Sequence, residues 1–125
     1  MRRPVLYLSG PLSHPDPHHG IELNILRASE IALKCWDRGW AVICPHKNCA
    51  GFQHYDHIPW RAWIEGDIEI MLRCDAVLML PGWQDSDGAR EEHFVAIKER
   101  IPVFYCEDEQ SEIPGPRAVS MRRVQ

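Results

Sequence analysis

Four short apolar runs recur along the chain: "PVLYLSGP" (residues 4–11), "WAVICP" (40–45), "DAVLML" (75–80) and "IPVFYC" (101–106). The stretches between them carry a different period. From Ile21 to Arg38, the residues Ile21, Ile25, Ala28, Ala32 and Cys35 return every three or four positions, with Leu26, Leu33 and Trp36 widening the stripe. That is the period of a helix, and Gly39 stops it. "WRAWIEGDIEIMLRC" and "DGAREEHFVAIKER" read as two further helices, one on either side of the third apolar run. Strands alternating with helices of ten or more residues fit right-handed βαβ crossovers and a parallel sheet covered on both faces. The expected fold class is therefore α/β, a doubly wound (flavodoxin-like or Rossmann-like) parallel sheet of four to five strands. At 125 residues and 14.5 kDa the expectation is a single domain, 1–125, with its core at about 4–106 and residues 107–125 as a tail or weak edge strand.

Charge and cysteine usage narrow the function classes. A net charge of −4 and a pI near 5.9 lack the basic excess that binding a phosphate backbone requires, so no nucleic-acid partner is expected. No apolar run approaches the ~20 residues of a membrane span, and "MRRP" leads straight into a strand without a signal-peptide core, which predicts no membrane partner and a cytoplasmic location. The five cysteines are an odd number, and Cys35, Cys44, Cys74 and Cys106 sit in or beside apolar runs as reduced, structural thiols would. A zinc site from "CPHKNC" with His54 and His57 is the sharper alternative, but the repeated short cysteine pair that makes zinc motifs specific is missing. His14, His18 and His19 lie in "SHPDPHHG", which reads as a solvated loop. No metal and no cofactor are expected, and "HKNCAGFQHYDHIP" (46–59) reads as a lid.

A doubly wound sheet takes its ligand beyond the carboxyl ends of its strands. Ser9, Gly10 and Pro11, then Pro45 and His46, then Pro81, Gly82 and Trp83, and the chain after Tyr105 converge there. Ser86 to Ala89 lie where the third strand turns into a helix, whose free N–H groups and dipole attract an anion. In that helix Glu92 shares a face with the small residues Ala89 and Ala96 and so points toward the sheet, whereas Glu91 falls with Gly88, Phe94 and Lys98 and remains free to stay solvated. Glu92 is the candidate nucleophile or base, although the dipole alone also favours acidic residues in a first turn. Asp67 lies eight residues before Asp75, which reads as a helix-to-strand junction; periodicity leaves the direction of Asp67 undecided. Tyr7 and Ser9 alternate with Leu6 and Leu8, so Tyr7 is either a partner for a catalytic carboxylate or a half-buried core tyrosine.

"YLSGP" (7–11), "GDIEIMLRCDAVLMLPGW" (66–83) and "SDGAREEHFVA" (86–96), taken in order, resemble the nucleoside 2-deoxyribosyltransferase-like superfamily over roughly residues 5–105. That superfamily includes deoxyribosyltransferases and nucleoside 5'-monophosphate N-glycosidases. The resemblance implies that Glu92 is the nucleophile, Tyr7 the residue that orients it, Asp67 the second catalytic carboxylate, and Ser86 with Gly88 and Ala89 a phosphate-binding turn. It also implies a homodimer or larger oligomer, which would cover Trp60 and Trp63. Two departures matter: the transferases usually carry an aspartate where Ser86 stands, and a carboxyl-terminal segment that "SMRRVQ" does not reproduce. The leading expectation is therefore cleavage of the N-glycosidic bond of a nucleoside 5'-monophosphate or related nucleotide, with Ser9, Gly10, Pro11 and Gly82 in the site and His46 and Trp83 near the base. A base-exchanging deoxyribosyltransferase, a nucleotide sensor without turnover and a metal-binding interaction protein are the alternatives.

Overall fold

The computed structural model describes residues 2–12, 19–48 and 57–119. Strand β1 (Val5–Ser9), helix α1 (Gly20–Asp37), strand β2 (Ala41–Ile43) and a short helix α2 (Pro45–Asn48) come first. Helix α3 (Trp60–Met71), strand β3 (Ala76–Met79), helix α4 (Asp87–Lys98) and strand β4 (Val103–Tyr105) follow. All strands run parallel in one sheet ordered β2-β1-β3-β4, the expected α/β architecture with four strands.

The two-residue period of the central strands sorts the core into two halves. Leu6, Leu8, Ala76, Leu78 and Leu80 pack against Ala28, Ile31, Ala32 and Cys35 of α1. Tyr7, Val77 and Met79 face the opposite way, onto Met71 of α3 and Ala89 and Ala96 of α4. β1 and β3 are buried on both faces, which is why they read in the sequence as nearly unbroken apolar runs. Asp75 ties their beginnings together: its carboxylate accepts from Val5 N–H at 2.7 Å, and its own N–H donates to Val5 O at 2.8 Å. It is thus the junction residue that its place before the strand suggested.

At the other end the two strands leave the sheet in contact. Leu80 N–H donates to Ser9 O at 2.7 Å, and a Cβ placed on Gly10 would lie 2.6 Å from Leu80 Cβ. Only glycine fits there, so Gly10 and Leu80 close a seam along the crest of the sheet. Helix α1 ends as its glycine predicts: Gly39, at φ 105°, donates to Trp36 O and Trp40 N–H donates to Cys35 O. Helix α4 ends in the same paired arrangement with Arg100 at φ 59° in the glycine position.

Three regions differ from the sequence reading or lie beyond the description. Residues 45–48 form a helix where a loop was expected from His46 onward. The rest of the lid segment through residue 56, and the histidine loop at 13–18, fall outside the described residues; with them go Cys49, His54, His14 and His18 of the metal alternative. After Cys106 the described residues form no strand. Ser111 closes a turn on Asp108, Ile113 enters the core on the α1 side, and Trp40 Nε1 donates to Pro114 O at 2.7 Å, pinning a 3-10 turn, Pro116–Ala118, nearby. Among the described residues no helix is long and apolar enough to cross a membrane. Trp60 is exposed and Trp63 half-buried.

Candidate active site

β1 presents Tyr7 and Ser9 on one face because they are two residues apart, and α4 presents Glu92 inward because Ala89 and Ala96, on the same stripe, let the helix approach the sheet closely. The three side chains meet. Tyr7 Oη donates to Glu92 Oε2, and Ser9 Oγ donates to Glu92 Oε1 at 2.7 Å. Glu92 is only 6% exposed and Ser9 1% exposed, so this is a buried carboxylate held at both oxygens by hydroxyls of the central strand. Glu91 is less free than its helical position suggested: it bridges to Arg61 of α3 at 2.7 Å and is half-buried.

Burial dominates the electrostatics. It pushes Glu92 up to about 7, the hydroxyls of Tyr7 and Ser9 pull back in the other direction, and the charges of Asp67 and Glu91 add to the rise. Asp67 is pushed up to about 6 by burial alone. Tyr7 is raised well above the ordinary range by burial and by the charge of Glu92, so its phenol keeps the proton it donates. Helix α3 therefore brings Asp67 close enough to Glu92 for its charge to be felt, which periodicity had left undecided. Burial thus makes both carboxyls harder to ionise than an ordinary side chain.

Three other candidates lie away from Glu92. Pro11, His46 and Gly82 line a cavity of about 420 Å³ on the α1 side of the crest, together with Asn24, Arg27 and Leu80, and with Glu107, Asp108 and Glu109 from the chain after β4. The Gly10–Leu80 seam lies along the crest between this cavity and the side of the sheet that carries Tyr7, Ser9 and Glu92. Of the cavity residues, Asn24 and Arg27 escape a reading based on strand ends, whereas Glu107 to Glu109 belong to the chain after Tyr105 that was expected to converge there. Asn24 is the one with a local signal: a polar residue on the buried stripe of α1, donating to Leu12 O at 3.1 Å and so anchoring the chain after β1.

Trp83 opens a 3-10 turn (Trp83–Asp85) and stacks on His93 with ring centroids 4.3 Å apart; His93 Nε2 lies 2.8 Å from Tyr105 Oη. His93 and Tyr105 thus brace the tryptophan, a partnership across strand ends that no local pattern announces. Ser86 caps α4, its Oγ accepting from Ala89 N–H at 3.2 Å. Gly88 is an ordinary helical residue there, packed against Ile64, rather than a flexible element of a turn. The N–H groups of Asp87 and Gly88 belong to the first turn and have no carbonyl within the helix to bond.

The family model described as "Domain of unknown function (DUF4406)" matches residues 4–105. No curated protein matches the chain. Among solved structures, a 2-deoxyribosyltransferase from the psychrotolerant bacterium Bacillus psychrosaccharolyticus is similar, with a TM-score of 0.58 and 18% identity. The match covers 81% of this chain and 70% of that one. At this identity the likeness is one of fold, and in fold it bears out the resemblance drawn from the motifs.

The raised Glu92 has a consequence for stability. A carboxyl group whose folded value lies above its ordinary one favours the folded state fully at low pH, and that support is lost as pH rises through about 7. Glu92→Gln removes a buried anion that costs up to about 3 kcal/mol above that pH. The melting temperature of the variant should exceed that of the parent by more at pH 8 than at pH 5. Melting curves at the two pH values that show a constant or shrinking gap would contradict the assignment.

Proposed function

The chain belongs to the DUF4406 family, and we propose that it is an enzyme that cleaves the N-glycosidic bond of a nucleoside 5'-monophosphate or a related nucleotide. The observation that carries the reading is the buried Glu92 clamped by Tyr7 and Ser9 with Asp67 beside it. An isolated carboxylate so buried is costly to keep, and a pair of them with raised values in one site is the arrangement that acid, base and nucleophilic chemistry needs.

In the proposed reaction a carboxylate oxygen of Glu92 bonds to the anomeric carbon as the bond from that carbon to the base nitrogen breaks. The base nitrogen takes the proton of Asp67, and water then opens the glycosyl ester. The productive form has Glu92 ionised and Asp67 protonated, which asks for a proton transfer between two carboxyls that burial has raised. The hydroxyls of Tyr7 and Ser9 lower the cost of that transfer because both stabilise the Glu92 anion. The sugar would lie over the crest near Gly10, its phosphate at the start of α4. There the Ser86 hydroxyl, already accepting from Ala89, still has its proton to give, beside the N–H groups of Asp87 and Gly88. Base exchange is the second reading, and the similarity in fold to a 2-deoxyribosyltransferase is what favours it.

Nucleoside 5'-monophosphates incubated with the protein should release free base, measurable by chromatography. Glu92→Gln should lower kcat by at least about a thousandfold, and Glu91→Gln by less than about tenfold. An inactive Glu91 variant beside an active Glu92 variant would sink the assignment.

The phosphate site is tested apart from the cap. Ser86→Ala removes both the hydroxyl and about 1 kcal/mol of helix capping. Ser86→Asp keeps a good cap but sets a negative charge against the phosphate. The parent should favour a 5'-monophosphate over its nucleoside by at least about tenfold in kcat/KM. Ser86→Asp should reverse that preference while melting as the parent does. A parent that uses both alike, or exchanges added free base faster than it hydrolyses, belongs to the transferase reading.

A homodimer is part of the same reading. It rests on the assembly that the superfamily resemblance implies and on the exposed Trp60; Trp63, the other tryptophan expected to need cover, is half-buried. Sedimentation at micromolar concentration should give a species of at least twice the chain mass, and a single species of 14.5 kDa would remove the idea.

A further inference from the structure

The cavity on the α1 side contains one polar atom that the fold leaves without a use. His46 is 5% exposed, and its Nε2 lies 2.8 Å from Pro11 O. A carbonyl oxygen only accepts, so Nε2 must carry the hydrogen. Burial lowers the His46 pKa, which keeps the ring neutral. In that tautomer Nδ1 carries a lone pair, and it has no hydrogen-bond partner among the described residues. A buried acceptor left unmet is destabilising, and such atoms are rare in native folds. Here the atom belongs to a residue lining a cavity with room for a heterocycle.

One short stretch of chain links the cavity to the Glu92 clamp. Ser9, which holds Glu92, and Pro11, which holds His46, are two residues apart, at most about 7 Å along the chain. A nucleotide with its sugar over the crest can place its base on the α1 side. We infer that His46 is a specificity-determining residue: its Nδ1 accepts from an exocyclic amino group of the base and so selects amino-bearing nucleotides over their oxo counterparts. This inference rests on the proposed nucleotide substrate and specifies it further. Amino and oxo forms of a base have nearly the same shape, but at this contact the oxo form sets one lone pair against another. Shape cannot separate them; the histidine tautomer can.

Calorimetry with the Glu92→Gln protein separates binding from turnover. Adenosine monophosphate should bind at least about tenfold more tightly than inosine monophosphate, and cytidine monophosphate than uridine monophosphate. His46→Gln keeps a donor near the Nε2 position for Pro11 O and leaves no acceptor at the Nδ1 position, its amide oxygen branching from the end of the side chain instead, so both ratios should fall to within about threefold. Nitrogen-15 spectra of the His46 ring should show Nδ1 unprotonated in the free protein and shifted on saturation with adenosine monophosphate. Equal binding of both members of each pair, or an unmoved Nδ1 signal in a saturated protein, overturns the inference while leaving the nucleotide reading intact. If none of the four nucleotides binds, the substrate class itself is wrong and the inference falls with it.

Discussion

The structure is organised around one carboxylate kept out of water. Glu92 is tolerable in the interior because two hydroxyls on the central strand reach its two oxygens, and each requirement of that arrangement constrains another part of the fold. β1 must be central to bury Tyr7 and Ser9, and it must pair with β3 in the register Ser9 to Met79 so that the strand ends meet under α4. Helix α4 must carry alanines on either side of Glu92 to come close enough. Asp75 fixes the opposite end of the same two strands, so the frame of the site is set from both directions.

The periodicities disclosed most of this frame. Alternation in "PVLYLSGP" separated Tyr7 and Ser9 from Leu6 and Leu8, and the three-and-four spacing of Ala89, Glu92 and Ala96 turned the glutamate inward; those are local rules, and the structure follows them. What stayed hidden depends on partners distant in sequence. Asp67 could be placed on a helix but not aimed, because α3 ends in a turn whose angle no residue pattern encodes. The contacts of His46 with Pro11 and of Trp40 with Pro114 join segments 35 and 74 residues apart. The chain after β4 was expected at the strand ends from topology, but, polar and without period, it gave no sign of which residues would reach the cavity. Ser86 was legible as a helix start, yet only the coordinates show that its oxygen is already committed to Ala89.

The same geometry makes the site stiff. Both carboxylates are raised mainly by loss of water, and the hydroxyl donors come from a buried strand rather than a loop. Tyr7 and Ser9 cannot shift without opening the sheet, so the two donors that hold Glu92 are as well defined as the core itself.

The glycine seam has an implication for how such a chain can diversify. Gly10 and Leu80 close the crest between the α1 cavity, lined by Asn24, Arg27 and His46 among others, and the side of the sheet where Tyr7 and Ser9 grip Glu92. Mutations can therefore accumulate on one side of the sheet while the other is held under strict selection. A lineage built on this frame can change the lining of the cavity by small steps while the grip on Glu92 stays intact.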